Sequence, residues 1–185
     1  PWMLAFALRA DGWYLRQDII WHKPNPMPES VKDRCTKSHE YIFLLSKSKS
    51  YYYNNDAIKE PAKDWGTRNR INGKYHNKGT GLQPHSGLSK SYPTKNKRSV
   101  WSVTNKPYKH AHFATFPPDL IEPCILAGSK EGDIVLDPFM GSGTTAMVSK
   151  QHNRHYIGCE LHEGYAGLIE QRMPDEILAQ DVENP

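Results

Sequence analysis

The residues best placed to bind a ligand lie in segment 134–145, which reads Ile-Val-Leu-Asp-Pro-Phe-Met-Gly-Ser-Gly-Thr-Thr. An apolar run ends at Asp137, a loop with Gly141 and Gly143 follows, and a helix is predicted to begin at Thr144. Glycines let the backbone approach a ligand closely, and the first N–H groups of a helix attract negative charge. The segment therefore predicts a nucleotide site of the strand–loop–helix type.

A second acid, Glu160, ends the next predicted strand and lies 19 residues after Gly141. A carboxylate at this distance is where dinucleotide folds place an acceptor for ribose hydroxyls. Asp137 would repel a pyrophosphate and attract an ammonium or sulfonium group. The two acids favour S-adenosylmethionine, which has both cations and a ribose. A nicotinamide-dependent oxidoreductase stays an alternative, because residues 141–146 satisfy the pattern G-x-G-x-x-A.

The elements that must position these residues follow from hydrophobic spacing and from helix and strand breakers. The predicted order is helix 2–10, strand 14–23, strand 40–46, helix 119–128, strand 133–136, helix 144–151, strand 156–160 and helix 163–172. A proline-rich stretch separates the first two strands, which are predicted to pair antiparallel at a sheet edge. Only 25 residues follow Glu160, so the other strands must precede the glycine loop. The chain is therefore permuted relative to a dinucleotide fold, incomplete, or both.

Positive charge is concentrated in the middle of the chain. Residues 62–110 contain eleven Lys or Arg against one acid, Asp64, whereas residues 111–185 contain four against twelve, and the whole chain carries a net charge of +4. Tryptophans and tyrosines alternate with the basic residues, and they can stack on bases. A solvated basic loop is the simpler reading, but this combination favours contact with a nucleic acid.

Composition excludes several other classes. The mean hydropathy is −0.73, and no apolar run approaches the roughly 20 residues of a membrane span. No secretion signal is visible. The cysteines Cys35, Cys124 and Cys159 have no ligand-like spacing. They are expected to be reduced, buried thiols of a cytoplasmic protein, and no metal site is predicted.

Four segments together resemble a known family. Asp-Pro-Phe-Met-Gly-Ser-Gly-Thr-Thr at 137–145 resembles the cofactor motif of the DNA amino-methyltransferases, which methylate the exocyclic amino group of cytosine or adenine. Residues 112–123 resemble the second cofactor segment of that family. Residues 19–30 resemble its proline loop, and residues 39–48 the strand after it. The segment order is that of the beta branch, in which the cofactor half comes last.

The resemblance implies an α/β, Rossmann-like S-adenosylmethionine-dependent methyltransferase fold. The fold would be circularly permuted and incomplete at its N-terminus, with a loop-rich basic insertion. Residues 1–54 would be the C-terminal part of the catalytic half, residues 55–107 the target-recognition region and residues 108–185 the cofactor half. The implied activity is methyl transfer to a flipped base in double-stranded DNA. Cytosine N-4 is favoured over adenine N-6 by the proline loop and the strand after it.

The resemblance also assigns roles to residues. Asp137 would face the charged end of the cofactor, Glu160 would hold the ribose and Phe139 would lie along its apolar side. The full cofactor set is Asp137, Phe139, Gly141, Gly143, Thr144, Thr145, Glu160, Phe113 and Thr115. The residues expected to contact DNA phosphates are Arg68, Arg70, Lys74, Lys95, Lys97 and Arg98.

One departure concerns the catalytic tetrapeptide of the family, Ser/Asn/Asp-Pro-Pro-Tyr. The only Pro-Pro pair here is Pro117-Pro118, which belongs to the second cofactor segment. The chain is therefore expected to be a C-terminal portion, of bacterial or phage origin, that holds no catalytic residue and is inactive alone. A non-catalytic DNA-binding module with a vestigial cofactor pocket is the alternative. The sequence leaves open whether a cognate restriction endonuclease is a partner.

Overall fold

The computed structural model describes residues 1–62, 93–105 and 115–172. Its helices are α1 (Trp2–Ala10), α2 (Pro118–Gly128), α3 (Thr144–Gln151) and α4 (Glu163–Arg172), with a short 3-10 turn at Asp56–Ile58. Its strands are β1 (Tyr14–His22), β2 (His39–Ser46), β3 (Glu60–Pro61), β4 (Thr94–Lys95), β5 (Val100–Ser102), β6 (Ile134–Asp137) and β7 (His155–Gly158).

The first sheet has the order β2-β1-β5. Strands β1 and β2 pair antiparallel, with Ile19 opposite Ile42, which confirms the predicted pair, and β5 adds to the other edge of β1 in parallel. Alternate residues of a strand face one side, so Ile19 and Trp21 both lie in the core, whereas Asp18, the residue before Ile19, is exposed. Trp101 of β5 completes this layer.

Helix α2 connects the first sheet to the second half of the molecule. Its Leu120 packs in the core with Trp21 and Trp101, and its Glu122 carboxylate lies 2.9 Å from His152 Nε2, at the end of α3. Pro118 is in the first helical turn, where its missing N–H is tolerated. The helix continues through Pro123, as its spacing predicts. Through these contacts, α2 joins α3 to the first sheet.

The second half consists of β6 and β7, which pair in parallel with α3 between them in the chain. Met140, Ala146, Tyr156 and Ile169 pack on one face of this pair. On the β strands themselves, Ile134, Leu136 and Ile157 are more than half exposed. An apolar sheet face of this kind requires another layer for burial.

The strand predicted at 156–160 is wrong at its C-terminal end. Strand β7 ends at Gly158, because its partner β6 ends at Asp137, directly opposite. Glu160 therefore lies in the following loop, where its side chain is free to turn toward the glycine loop. The division into residues 1–54, 55–107 and 108–185 stays a prediction. None of the helices in the described ranges is long and apolar enough to cross a membrane.

Candidate functional site

The loop between β6 and α3 is held by backbone hydrogen bonds to the end of β7. Cys159 donates its N–H to the Asp137 carbonyl at 3.0 Å, and Met140 donates to the Cys159 carbonyl at 2.9 Å. Inside the loop, Gly143 donates to the Met140 carbonyl at 3.0 Å. These three bonds join backbone N–H and carbonyl groups, so they help to fix the path of the loop without depending on particular side chains.

The two glycines of this loop both adopt left-handed conformations, with φ of +56° at Gly141 and +78° at Gly143. A side chain is disfavoured at both positions for this reason. They differ in their surroundings. A Cβ at Gly143 would lie 3.0 Å from Ile169 Cγ1 of α4, whereas a Cβ at Gly141 would meet only the Phe139 carbonyl, at 3.9 Å. Gly143 is required by conformation and by packing, and Gly141 by conformation alone.

Both oxygens of the Glu160 carboxylate accept backbone hydrogen bonds, and one of these comes from the glycine loop. Oε2 accepts from the Gly141 N–H at 2.8 Å, and Oε1 accepts from the His162 N–H at 2.8 Å. These backbone donors, His162 first and then Gly141, lower the pKa of Glu160 below its ordinary value. A carboxylate offers about four acceptor positions, so Glu160 retains acceptors for a diol. Sequence reasoning missed His162, since a backbone donor has no residue-type signature.

The Asp137 carboxylate is also bound on both oxygens. Oδ1 accepts from the Phe139 N–H at 2.9 Å, and Oδ2 accepts from the Thr145 hydroxyl at 2.6 Å. Thr145 is buried in the first turn of α3, as is Thr144. Neither threonine is the N-cap of this helix, because that position is Gly143 and no side chain caps it.

Phe139 projects from the middle of the loop and is 86% exposed. It is therefore excluded from the core, and its ring is available to a ligand at the ends of β6 and β7. Thr115 is half-buried just ahead of α2, and the next residue, Phe116, lines a cavity together with Asp137 and Thr145. Phe113, the other expected member of the cofactor set, lies outside the described residues.

This cavity has a volume of about 480 Å³ and lies between α2 and β6. All four residues of β6 line it, from Ile134 to Asp137. Because consecutive strand residues point to opposite faces, a cavity that touches all four runs along the edge of the strand. In the described part of the chain, only β7 pairs with β6. The opposite wall is apolar and consists mainly of α2 side chains.

Three of the six residues expected to contact DNA can be placed. Lys95 and Lys97 lie on either side of Glu60, with N···O distances of 3.6 and 3.7 Å, and Lys97 also lies over the Trp101 ring. Arg98 is exposed. The others, Arg68, Arg70 and Lys74, lie outside the described residues. Across residues 1–62, 93–105 and 115–172, no group of three His, Cys, Asp or Glu side chains could hold a metal.

Comparison with known protein families identifies the family of the chain that carries this loop. The profile of the N6/N4 family described as DNA methylase matches residues 3–171, which is nearly the whole chain. The chain belongs to this DNA methylase family. The match includes the glycine loop, Glu160, the proline loop and the antiparallel strand pair. The family resemblance read from the sequence is thereby confirmed, and the nicotinamide alternative is set aside.

Curated relatives of this DNA methylase chain agree with that assignment. It is 49% identical to Type II methyltransferase M.Cfr9I of Citrobacter freundii over 176 residues, which are 95% of this chain and 50% of the relative. It is also 49% identical to Type II methyltransferase M.SmaI of Serratia marcescens over 173 residues, 94% of this chain and 51% of the relative. The chain thus spans about half the length of these relatives.

Solved structures support the fold. The complex of M1.HpyAVI with S-adenosylmethionine matches with a TM-score of 0.61 at 24% identity, covering 92% of this chain and 68% of that one. The cytosine-N4-specific PvuII DNA methyltransferase matches with a TM-score of 0.65 at 18% identity, covering 95% and 57%. These likenesses confirm the Rossmann-like methyltransferase fold predicted for this chain.

The cysteines of the DNA methylase chain are expected to differ in reactivity. Cys35 and Cys159 are exposed, so the expectation of buried thiols is wrong for these two. Burial against the core of the first sheet raises the pKa of Cys124 to about 11. The thiolate is the reactive form. Iodoacetamide at pH 8 should therefore label Cys35 and Cys159 in the native protein, and Cys124 only after unfolding. Peptide mass spectrometry measures this, and equal labelling of Cys124 in the native state would contradict its burial.

Proposed function

We propose that this chain is the cofactor-binding and DNA-contacting portion of a DNA methyltransferase that uses S-adenosylmethionine. The observation that carries the proposal is Glu160, whose carboxylate is fixed against the glycine loop while it keeps acceptors toward solvent. Such a carboxylate fits a ribose diol. The exposed Phe139 fits the apolar side of a nucleoside, and the two left-handed glycines permit close approach of the backbone. The M1.HpyAVI complex with S-adenosylmethionine supports this choice of cofactor.

The remaining cofactor residues are proposed to surround this centre. Thr144 and Thr145 form the first turn of α3, behind the loop, and Thr115 closes the side nearest the α2 cavity. Phe113 is proposed to join Thr115. Cofactor binding delivers a methyl group on a positively charged sulfur. The residues of this chain hold that group in place and exclude water from it.

Transfer of the methyl group needs a second set of residues. An exocyclic amino nitrogen is a poor nucleophile, because its lone pair is delocalised into the base, so acceptors for its hydrogens and a flipped-out base are needed. The Pro-Pro-aromatic tetrapeptide of the family is not in this sequence. We propose that the chain alone is inactive. The part of the relatives that this chain does not match would supply the tetrapeptide.

The structure offers a place for such a segment. In the described part of the chain, one edge of β6 pairs with no strand, and the cavity along this edge is bounded by α2. An added strand would gain main-chain hydrogen bonds from β6 and apolar contacts from α2. Its C-terminal end would reach the level of Asp137 and the glycine loop, where the methyl group is proposed to lie.

The proposal is tested by binding and by complementation. Calorimetry should detect binding of S-adenosylmethionine and weaker or absent binding of NAD. The chain alone should give no transfer of radioactive methyl groups to DNA, and co-expression with the part of M.Cfr9I that this chain does not match should restore it. Tighter binding of NAD would overturn the cofactor assignment. Cofactor binding without restored transfer would favour a non-catalytic DNA-binding module.

The target base is proposed to be cytosine, methylated at N-4. The proline loop and the strand after it support this choice, and the fold likeness to a cytosine-N4-specific enzyme is compatible with it. Nucleoside analysis of DNA from the complementation experiment distinguishes N4-methylcytosine from N6-methyladenine. A cognate restriction endonuclease is proposed as a partner on the strength of the Type II relatives.

Binding to double-stranded DNA should weaken steeply as salt increases. If the six proposed phosphate contacts form, the slope of log affinity against log salt is expected to be about −5. The double variant Lys95→Gln, Lys97→Gln should reduce this slope by about 2. Glu60→Gln removes the acid that both lysines pair with and should strengthen binding. Fluorescence anisotropy with a labelled duplex measures all three proteins. An unchanged slope in the double variant would remove these lysines from the interface.

A further inference from the structure

The carboxylate of Asp137 joins three separate parts of the cofactor half. It ends β6, it accepts from the Phe139 N–H in the loop, and it accepts from the Thr145 hydroxyl in the first turn of α3. The Thr145 bond is 2.6 Å long, within the range of about 2.5–2.7 Å of charge-assisted bonds between a hydroxyl and a carboxylate. Each oxygen of Asp137 thus accepts one hydrogen bond from within the protein.

The charge of Asp137 also has a counterpart inside the protein. Thr145 is 5% exposed and follows the helix N-cap, Gly143, by two residues. The first turn of a helix carries a partial positive charge, which stabilises a nearby carboxylate. A carboxylate held in this way is compensated before any cofactor arrives.

We infer that Thr145 is a positioning residue, whose hydroxyl holds Asp137 so that Asp137 shapes the glycine loop and does not pair with the sulfonium of the cofactor. The inference rests on the proposed function, since it concerns the same site. Asp137 would then act on the cofactor through the position of the loop, and not through direct contact with the sulfonium charge. The loop backbone and Glu160 touch the cofactor, and the Asp137–Thr145 pair sets their positions.

The two hydrogen bonds of Asp137 explain how Thr145 would control the loop. If the Thr145 hydroxyl is removed, one carboxylate oxygen loses its donor and the group turns toward water. The Phe139 N–H then loses its acceptor, and the turn that leads to Met140 and Gly141 widens. Because Gly141 donates to Glu160, a shift of this turn also displaces the carboxylate proposed to hold the ribose.

The first test needs no cofactor. Hydrogen exchange at the Phe139 amide, measured by NMR, should accelerate about tenfold or more in Thr145→Val, which keeps the shape of the side chain and removes the hydroxyl. Thr145→Ser should restore the protection. Ser149→Ala is the matched control, because it removes a buried hydroxyl of the same helix that bonds only to the Thr145 carbonyl, and Phe139 should exchange as in the parent. Equal protection in Thr145→Val and the parent would overturn the inference.

The second test separates positioning from charge pairing. Calorimetry compares S-adenosylmethionine with S-adenosylhomocysteine, which lacks the sulfonium charge. Thr145→Val and Asp137→Asn should each weaken both ligands by the same factor, about tenfold for the threonine variant. An Asp137→Asn variant that loses tenfold more affinity for S-adenosylmethionine than for S-adenosylhomocysteine would show charge pairing and overturn the inference.

The two tests also distinguish failure of the proposed cofactor from failure of the proposed role of Thr145. If neither ligand binds the parent chain, the proposed cofactor is wrong, and the exchange of the Phe139 amide still decides whether Thr145 holds the loop. Unfolding in urea should show that Thr145→Val remains folded. If it does not, Asp137→Asn, which removes the charge that the Thr145 hydroxyl contacts, supplies the comparison with a smaller change.

Discussion

Replacement of Glu160 by Gln is expected to weaken binding of S-adenosylmethionine about a hundredfold. The carboxylate accepts from the Gly141 and His162 N–H groups with different oxygens. A glutamine has one oxygen, so its NH₂ group would face one of these donors. Hydrogen bonds to a charged group are roughly twice as strong as those between neutral groups. Loss of one such bond together with a charged ribose contact gives the expected factor, which calorimetry measures.

Glu163→Gln is the matched control for this change. Glu163 lies three residues further on, in the first turn of α4, and its removal changes the net charge equally. Its affinity for the cofactor should stay within about twofold of the parent, because long-range effects of an exposed charge are screened. Equal losses in the two variants would mean that net charge near the site matters and the geometry of Glu160 does not.

The contribution of Glu160 should also depend on pH in a defined direction. Backbone donors lower its pKa from the ordinary value of 4.5, so the folded protein favours the ionised form. A group with a lowered pKa stabilises the fold above its unfolded pKa and loses this effect as pH falls through its folded pKa. The difference in urea stability between the parent and Glu160→Gln should therefore persist from pH 7 to about 4.5 and shrink below it. Shrinkage already between pH 7 and 5 would contradict the lowered pKa.

Replacement of Gly143 by Ala is expected to lower the free energy of unfolding by about 2–3 kcal/mol. The left-handed conformation of Gly143 costs any residue with a Cβ roughly 1–2 kcal/mol. The new methyl group would also lie 3.0 Å from Ile169 Cγ1, so α4 has to move. Equilibrium unfolding in urea, with fluorescence as the signal, measures the loss.

Gly141→Ala separates the two causes. Its φ is also left-handed, but a Cβ there has open space, so its loss should be only about 1–2 kcal/mol. Ile169→Ala in the Gly143→Ala background should cost less than the sum of the single changes, because the clash is relieved. Equal losses at the two glycines, with additive effects at Ile169, would show that packing against α4 plays no part.

Local sequence determined the elements and the motif. The apolar spacing of 2–10 and 163–172 gives α1 and α4 at their observed positions, and the proline loop after His22 ends β1 where a donor is missing. The glycines mark the positions of left-handed backbone, since few other residues adopt it. The charge imbalance, the late glycine loop and the four family segments were likewise readable without coordinates, because each depends on residue types at short spacing.

Contacts between residues that lie far apart in the sequence could not be predicted from local spacing. Sequence spacing suggested that Glu160 binds a ribose, but not that it also accepts from Gly141 and His162. The pairing of β5 with β1 was missed, since Val100–Ser102 is too short to show a period. The arrangement of Lys95 and Lys97 around Glu60 depends on how β3 meets β4.

The sequence by itself therefore determined the family, the positions of the four helices and of four of the seven strands that the structure describes, and the residues of the glycine loop. Only the tertiary structure decided which groups fix that loop. The Thr145 hydroxyl donates to Asp137, the His162 backbone N–H donates to Glu160, and Ile169 lies against Gly143. The physical reason is that these contacts join groups from different elements, and several of the donors are backbone N–H groups. Their partners are set by the path of the folded chain, and no residue type along the sequence announces them.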